Sequence, residues 1–357
     1  MNGSTASASV NDGDASATRE LVVSVNWIGD AIMAMPALQE YARRNPGCRL
    51  AVLARGVIAD IWALQEQPPA IIRYDERPGL FHPLFPAIRS GRFHRAWILP
   101  NSFRSAWIPF RAGIPRRIGF DGGYRRVLLT EKRSLPPSEN SRHQAWDYLD
   151  LLLPDHGLND LPLPRIAVPE SARAAIPASF GRPDRPVIGL IPGAARGPAK
   201  RWPPGHFAEV ARRLRADGYE IALFGGRDDE PVCREIASAL VDGVHALAGK
   251  TTVMEWAAYL ERCRLIIAND SGGMHLAAAL DRPVIALYGL TDPTVTGPLG
   301  RQTVTLQNAG PRSRDIARDS AEAQKSLASI LPETVYQSAR NILNDGVTPG
   351  ASAPACP

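Results

Sequence analysis

The chemistry in this sequence gathers where apolar runs stop at glycine and helix-like patterns begin. In "NDSGGMHLAAAL" (Asn269–Leu280) a Ser-Gly-Gly turn follows the apolar "LIIA" and opens an alanine-rich helix. A helix start presents unpaired N–H groups and the positive end of its dipole, so Ser271, Gly272 and Gly273 offer a seat for an anion. Asp270 and His275 flank that seat, and both are costly to bury without partners. A structural role competes, with Ser271 capping the helix and the glycines relieving tight packing.

Two further stretches have the same form. In "PGAARGPAKRWPPGHF" (Pro192–Phe207) a Gly/Ala-rich loop starting at Gly193 brings Lys200 and Arg201 to a helix that Pro203 or Pro204 starts. A cation on such a loop suits a phosphate or pyrophosphate, and a solvated Lys-Arg pair is the competing role. The glycine spacing is not that of a P-loop, which argues against an ordinary nucleoside triphosphatase. In "NWIGDAIMAMPAL" (Asn26–Leu38) Asp30 follows Gly29 at a strand-to-helix turn. There it would cap a helix beginning at Ala31, and it is also placed to accept a proton. Asp229 and Glu230 follow "IALFGG", the point where acids in nucleotide folds bind ribose hydroxyls.

These turns need strands behind them. "LVVSVNW", "RLAVLAR", "AIIRYD", "RAWILP" and "RIGF" are spaced as strands with helical patterns between the first few. A Pro-rich connection runs through Leu161–Pro186, and the alternation restarts with "VIGLIPG", "YEIALFGG", "LIIAND" and "PVIALYG". Alternating strands and helices predict parallel sheets covered on both faces, here two doubly wound α/β domains in series with a ligand between them. The expected division is a disordered leader over 1–20, a domain over 21–165, a linker over 166–186, a second domain over 187–345 and a flexible tail over 346–357. After Thr303 the pattern weakens, although "PETVYQSARNIL" reads as a terminal helix.

Composition narrows the class. The chain has 357 residues, 45% hydrophobic, with four scattered cysteines, and no run is long enough to span a bilayer. A cytoplasmic location is expected. The net charge of +5 is uneven: twelve Arg and Lys lie between Arg89 and His143, opposed only by Asp121, Glu131 and Glu139. Such clustering favours an anionic partner, or is simply a solvated surface.

In this order and at these separations, "NWIGDAIMAMPAL", "PGAARGPAKRWPPGHF", "LFGG" and "NDSGGMHLAAAL" closely resemble the lipopolysaccharide heptosyltransferases of glycosyltransferase family 9, nearest the heptosyltransferase II branch. "HQAWDYLDLL" (His143–Leu152) adds to a likeness that covers roughly Leu21 to Gly300. The segment Asn308–Ser326 departs by lacking the cysteine usual there, and the leader is extra.

The resemblance implies the α/β GT-B fold, two doubly wound Rossmann-like domains facing each other across a cleft. It also implies inverting transfer of a heptose from ADP-heptose to the lipopolysaccharide inner core on a lipid A anchor. Asp30 would be the general base. Lys200 and the Ser271–Gly273 turn would neutralise the departing diphosphate. Gly193, Asp229, Glu230, Asp270 and His275 would complete the donor site. Arg104, Arg116, Arg117, Arg125 and Arg126 fall in the domain that receives the acceptor. No cofactor is expected and no metal, since no aspartate pair is set to hold one. The enzyme would sit peripherally at the cytoplasmic face of the inner membrane. A same-fold transferase with another sugar or acceptor, and a non-catalytic nucleotide-sugar-binding protein, are the competing functions. A nucleic-acid partner is not expected, because the aromatic-rich strands of single-strand binders are missing.

Overall fold

The computed structural model describes residues 18–76, 78–79, 82–135, 142–195, 200–308 and 321–345. It comprises two units, divided between Arg165 and Ile166. In the first, strands β1 (Thr18–Val23), β2 (Cys48–Arg55), β3 (Ala70–Tyr74), β4 (Arg95–Ile98), β5 (Arg116–Phe120) and β6 (Glu131–Arg133) form one sheet. Its helices are α1 (Ile28–Arg44), α2 (Gly56–Ala63), α3 (Leu84–Ser90), α4 (Phe103–Arg111) and α5 (Ala145–Leu152), with a 3-10 helix over Gly123–Val127.

The second unit contains α6 (Glu170–Ala174), β7 (Val187–Ile191), α7 (Pro204–Ala216), β8 (Glu220–Leu223), α8 (Glu230–Ser238), β9 (Val244–Ala246) and α9 (Val253–Glu261). It continues with β10 (Cys263–Asn269), α10 (Gly272–Ala279), β11 (Val284–Tyr288), α11 (Pro293–Thr296), β12 (Thr303–Gln307), α12 (Ala321–Ala328) and α13 (Pro332–Asp345).

The strand orders are β3-β2-β1-β4-β5-β6 and β12-β11-β10-β7-β8-β9, and every pair is parallel. Counted from each unit's first strand, the two orders are the same. A sheet covered by helices on both faces needs strands apolar on both sides, and β7 and β11 are buried at every residue. In each unit the strand order reverses once, between β1 and β4 and between β7 and β10. At such a reversal the connections leave in opposite directions and open a crevice at the carboxyl ends of the strands.

The opposite edge of the first sheet is closed by a polar tie. Buried Glu20 accepts from Tyr41 Oη at 2.9 Å, Trp97 Nε1 at 2.6 Å and Arg95 Nη1 at 3.0 Å.

Some boundaries differ from those expected. Thr18–Glu20 are strand rather than leader, and β1 ends at Val23 instead of running to Trp27. Within 166–186 the chain forms α6, and that stretch belongs to the second unit. The leader up to residue 17, the tail over 346–357 and most of the cysteine-free segment, residues 309–320, lie outside the described residues. Among the described residues no helix is long and apolar enough to cross a membrane.

Candidate functional site

At the reversal point of the second sheet one side chain organises the rest. Asn269, the fully buried last residue of β10, donates from Nδ2 to Pro192 O at 2.7 Å. Its Oδ1 accepts from Trp202 N at 3.1 Å. One amide therefore ties both ends of the Gly193–Arg201 segment to the sheet. Trp202 is anchored in turn, its indole donating to Ile330 O at 2.9 Å. The next residue, Asp270, pairs with Lys200 and accepts from Thr291 Oγ1 at 2.6 Å. An ammonium has three N–H donors, so Lys200 can hold Asp270 and still offer donors to a phosphate oxygen.

Ser271 is the N-cap residue of α10, but its side chain makes no capping bond, and Oγ is buried without a hydrogen-bond partner. The capping role considered for this serine is thus not the observed one. Trp256 Nε1 is likewise buried and unpartnered. A Cβ on Gly273 would stand 2.7 Å from the Trp256 ring and 2.8 Å from Ile191 Cδ1, so helix-to-sheet packing alone requires glycine there. His275 is buried inside the same helix.

Gly193 is also explained by packing, since a Cβ there would stand 2.2 Å from the Asp229 carboxyl carbon. That carboxylate accepts from Gly226 N at 3.0 Å and lies 3.6 Å from Arg201 Nη2. Asp229 thereby braces the Gly193 and Gly225–Gly226 turns. Glu230, the first residue of α8, packs over Gly249, whose φ of +71° places it in the left-handed region.

At the reversal point of the first sheet lies a cavity of about 660 Å³, within the range of small-ligand sites. It is lined by Ser24 and Trp27 after β1, Arg55 and Tyr74 ending β2 and β3, and Ser102 and Arg104 around the start of α4. Ser24 is held by accepting from Trp62 Nε1 at 2.6 Å and donating to Val25 O at 2.8 Å. Burial raises the Tyr74 phenol pKa, while the charges of Arg55 and Arg104 pull it down. Both guanidinium groups therefore act on the same part of the cavity.

Asp30 is the third residue of α1, whose N-cap is Trp27; it is not the cap of a helix starting at Ala31. Helix α5, from the "HQAWDYLDLL" segment, packs on α1. Burial first, and then the charge of Asp30, hold the Tyr148 phenol far above its ordinary pKa, so it stays a neutral hydroxyl. Tyr148 Oη accepts from Gln144 Nε2 at 2.9 Å.

The five arginines assigned to the acceptor separate. Arg104 lines the cavity. Arg125 is buried, donating to Pro100 O and to Asn101 Oδ1 at 3.1 Å, and a Cβ on Gly119 would collide with its Nη2. Arg117 donates from Nε to Leu128 O at 2.7 Å and from Nη1 to Ile114 O at 2.6 Å, beneath the Phe110 ring. Both brace neighbouring backbone through these bonds, and of the two only Arg125 is buried away from an acceptor's reach. Arg116 pairs with Glu131 at 2.6 Å, and Arg126 lies 3.8 Å from Asp121, both exposed.

The sequence reading passed over Asn269, Thr291, Trp256, Arg55 and Tyr74. For Arg55 and Tyr74 a signal existed: Arg55 ends the expected strand "RLAVLAR", and Tyr74 is the last residue but one of "AIIRYD". Among the described residues no group of three or more His, Cys, Asp or Glu side chains is placed to hold a metal ion.

Residues 81–326 match the glycosyltransferase family 9 (heptosyltransferase) profile. The lipopolysaccharide heptosyltransferase 2 of Salmonella typhimurium is 35% identical, over 91% of this chain and 98% of that protein. The lipooligosaccharide heptosyltransferase 2 of Haemophilus influenzae is 33% identical, over 90% and 99%. The solved ADP-heptose lipopolysaccharide heptosyltransferase II of E. coli superimposes with a TM-score of 0.80 at 29% identity, over 92% of this chain and 99% of that one. Likeness along nearly the full length of these proteins, on the same pair of parallel sheets, makes this chain a GT-B glycosyltransferase belonging to glycosyltransferase family 9, the heptosyltransferases.

Proposed function

We propose that the enzyme transfers a heptose from ADP-heptose to the inner core of lipopolysaccharide on its lipid A anchor, a reading supported by its likeness to proteins named lipopolysaccharide heptosyltransferase 2 and ADP-heptose lipopolysaccharide heptosyltransferase II. The observation that carries this reading is the second sheet's reversal point. There Lys200, held by Asp270, stands with the start of α10, beside the buried and unpartnered Ser271 Oγ. A fixed cation, first-turn N–H groups and an unused hydroxyl suit a diphosphate, and they matter most when negative charge develops on the leaving group. Such neutralisation calls for neither a metal nor a cofactor. Asp270 and His275 orient this turn, and Asp229 or Glu230 meets the ribose hydroxyls.

On the acceptor side, Asp30 takes the proton of the attacking hydroxyl as its oxygen bonds to the anomeric carbon and the carbon–phosphate oxygen bond breaks. The cavity with Arg55 and Arg104 receives an anionic part of the acceptor, because guanidinium forks match phosphate and carboxylate groups. The acceptor's lipid anchor places the enzyme at the inner membrane surface.

The test is incubation of purified protein with ADP-heptose and with core acceptors truncated at successive sugars, read by mass spectrometry. One acceptor should gain one heptose with release of ADP. A heptose on none of them, or equal transfer from another nucleotide sugar, overturns this reading.

A further inference from the structure

The first unit carries exposed apolar side chains that its own core does not use. Tyr124 and Val127 are 89% and 76% exposed, and Phe103 is half exposed. Tyr124 and Val127 stand three apart in the 3-10 helix Gly123–Val127, where residues at that spacing eclipse one another on one face. Arg125, between them, points inward to Pro100 O and Asn101 Oδ1. That buried arginine pins the short helix to the loop from which α4 starts, two residues before Phe103, and α4 packs on it. β4 and β5 are adjacent, so both segments leave the same carboxyl edge as the cavity.

The surrounding charge is one-sided. Residues 103–133 hold eight Arg and Lys against Asp121 and Glu131, a net +6 that exceeds the +5 of the whole chain. Arg126, more than half exposed, and Arg104, next to Phe103 at the cavity, belong to this edge, whereas Arg116 opens β5 at the opposite end of the sheet. Two aromatic tips and a valine beside arginine suit the boundary of an anionic bilayer, where rings sit at headgroup level and basic groups meet lipid phosphates.

We infer that Phe103, Tyr124 and Val127, with the basic residues around them, form the face that seats the enzyme on an anionic lipid surface. This rests on the reading that the acceptor is lipid-anchored. The seat lies on the edge where the cavity opens, so a docked enzyme holds its acceptor site at the height of the acceptor's sugars.

The probe is a pair of vesicles without acceptor, one of phosphatidylglycerol with phosphatidylethanolamine and one of phosphatidylcholine alone. The full chain should co-sediment with the first and not the second, and salt should weaken binding. Tyr124→Ser with Val127→Ser, both at exposed positions, should lower binding about tenfold, as expected for losing two partly inserted side chains. Heptose transfer to detergent-dispersed acceptor should be unchanged, and the melting curve confirms the fold. Wild-type protein indifferent to both vesicles overturns the inference. So does a double variant that binds as wild type, which would reduce the attraction to diffuse basic charge. Because vesicle binding is read without substrate, it fails or stands separately from the transfer reaction.

Discussion

At the carboxyl edge of the second sheet the polar groups are tied to one another: Asn269 to Pro192 and Trp202, Lys200 and Thr291 to Asp270, Asp229 to Gly226 and Arg201. At the same edge of the first sheet, built on the same strand order, the chain leaves a basin of about 660 Å³ with two arginines at strand ends and helix starts. A diphosphate is small, of fixed shape, and the same at every turnover, so donors fixed in advance serve it best. The proposed acceptor, an oligosaccharide on a lipid, is large, and an open basin admits it. The difference between the edges therefore matches the difference between the substrates.

The comparison is broken most severely at Asp30. Asp30→Asn should lower kcat ~100-fold or more, the scale of a lost general base, while ADP affinity by calorimetry stays at the wild-type value. Turnover within a few-fold of wild type would make Asp30 only a first-turn carboxylate favoured by the dipole of α1.

On the tied edge, Lys200→Ala should weaken ADP binding by roughly 10–100-fold, the worth of a charge-assisted hydrogen bond. Asn269→Asp sharpens the point. It keeps an acceptor for Trp202 N but sets a carboxylate oxygen against Pro192 O, loosening one end of the segment that carries Lys200. The donor KM should rise about tenfold with the acceptor KM unchanged. A lower melting temperature with both KM values intact would make Asn269 part of the scaffold and nothing more.

Asn269 also shows how far the sequence could be read. The turn it opens was evident as an anion seat, yet Asn269 itself reads as an ordinary turn residue. Its partners lie 77 and 67 positions away along the chain, so only folding reveals the clamp. Central strands were legible because burial on both faces makes them continuous apolar runs. β6, β9 and β12 were not: they are edge strands of three to five residues, without that signal. α4 was hidden by Pro109 within it. Adjacent Arg125 and Arg126 are identical in type, and only burial distinguishes a fastener from a surface charge.

The smallest effects should come from the arginines themselves and should follow geometry rather than charge. Arg104→Ala removes a guanidinium from the basin wall, and the acceptor KM should rise several-fold, up to about tenfold, with ADP binding untouched. Arg116→Ala removes an exposed partner of Glu131 at the pairing of β5 with the edge strand β6. Solvent screens that pair, so the variant should lose no more than about 0.5 kcal/mol of stability. Its acceptor KM, measured in detergent at low salt, should remain within twofold of wild type, on the order of the screening expected for a surface charge. Diffuse attraction of the acceptor to the whole basic stretch would make the two substitutions equivalent. If Arg116→Ala raises the acceptor KM as much as Arg104→Ala does, the basin loses its claim as the acceptor's anionic contact, and the open edge becomes a charged surface without a pocket.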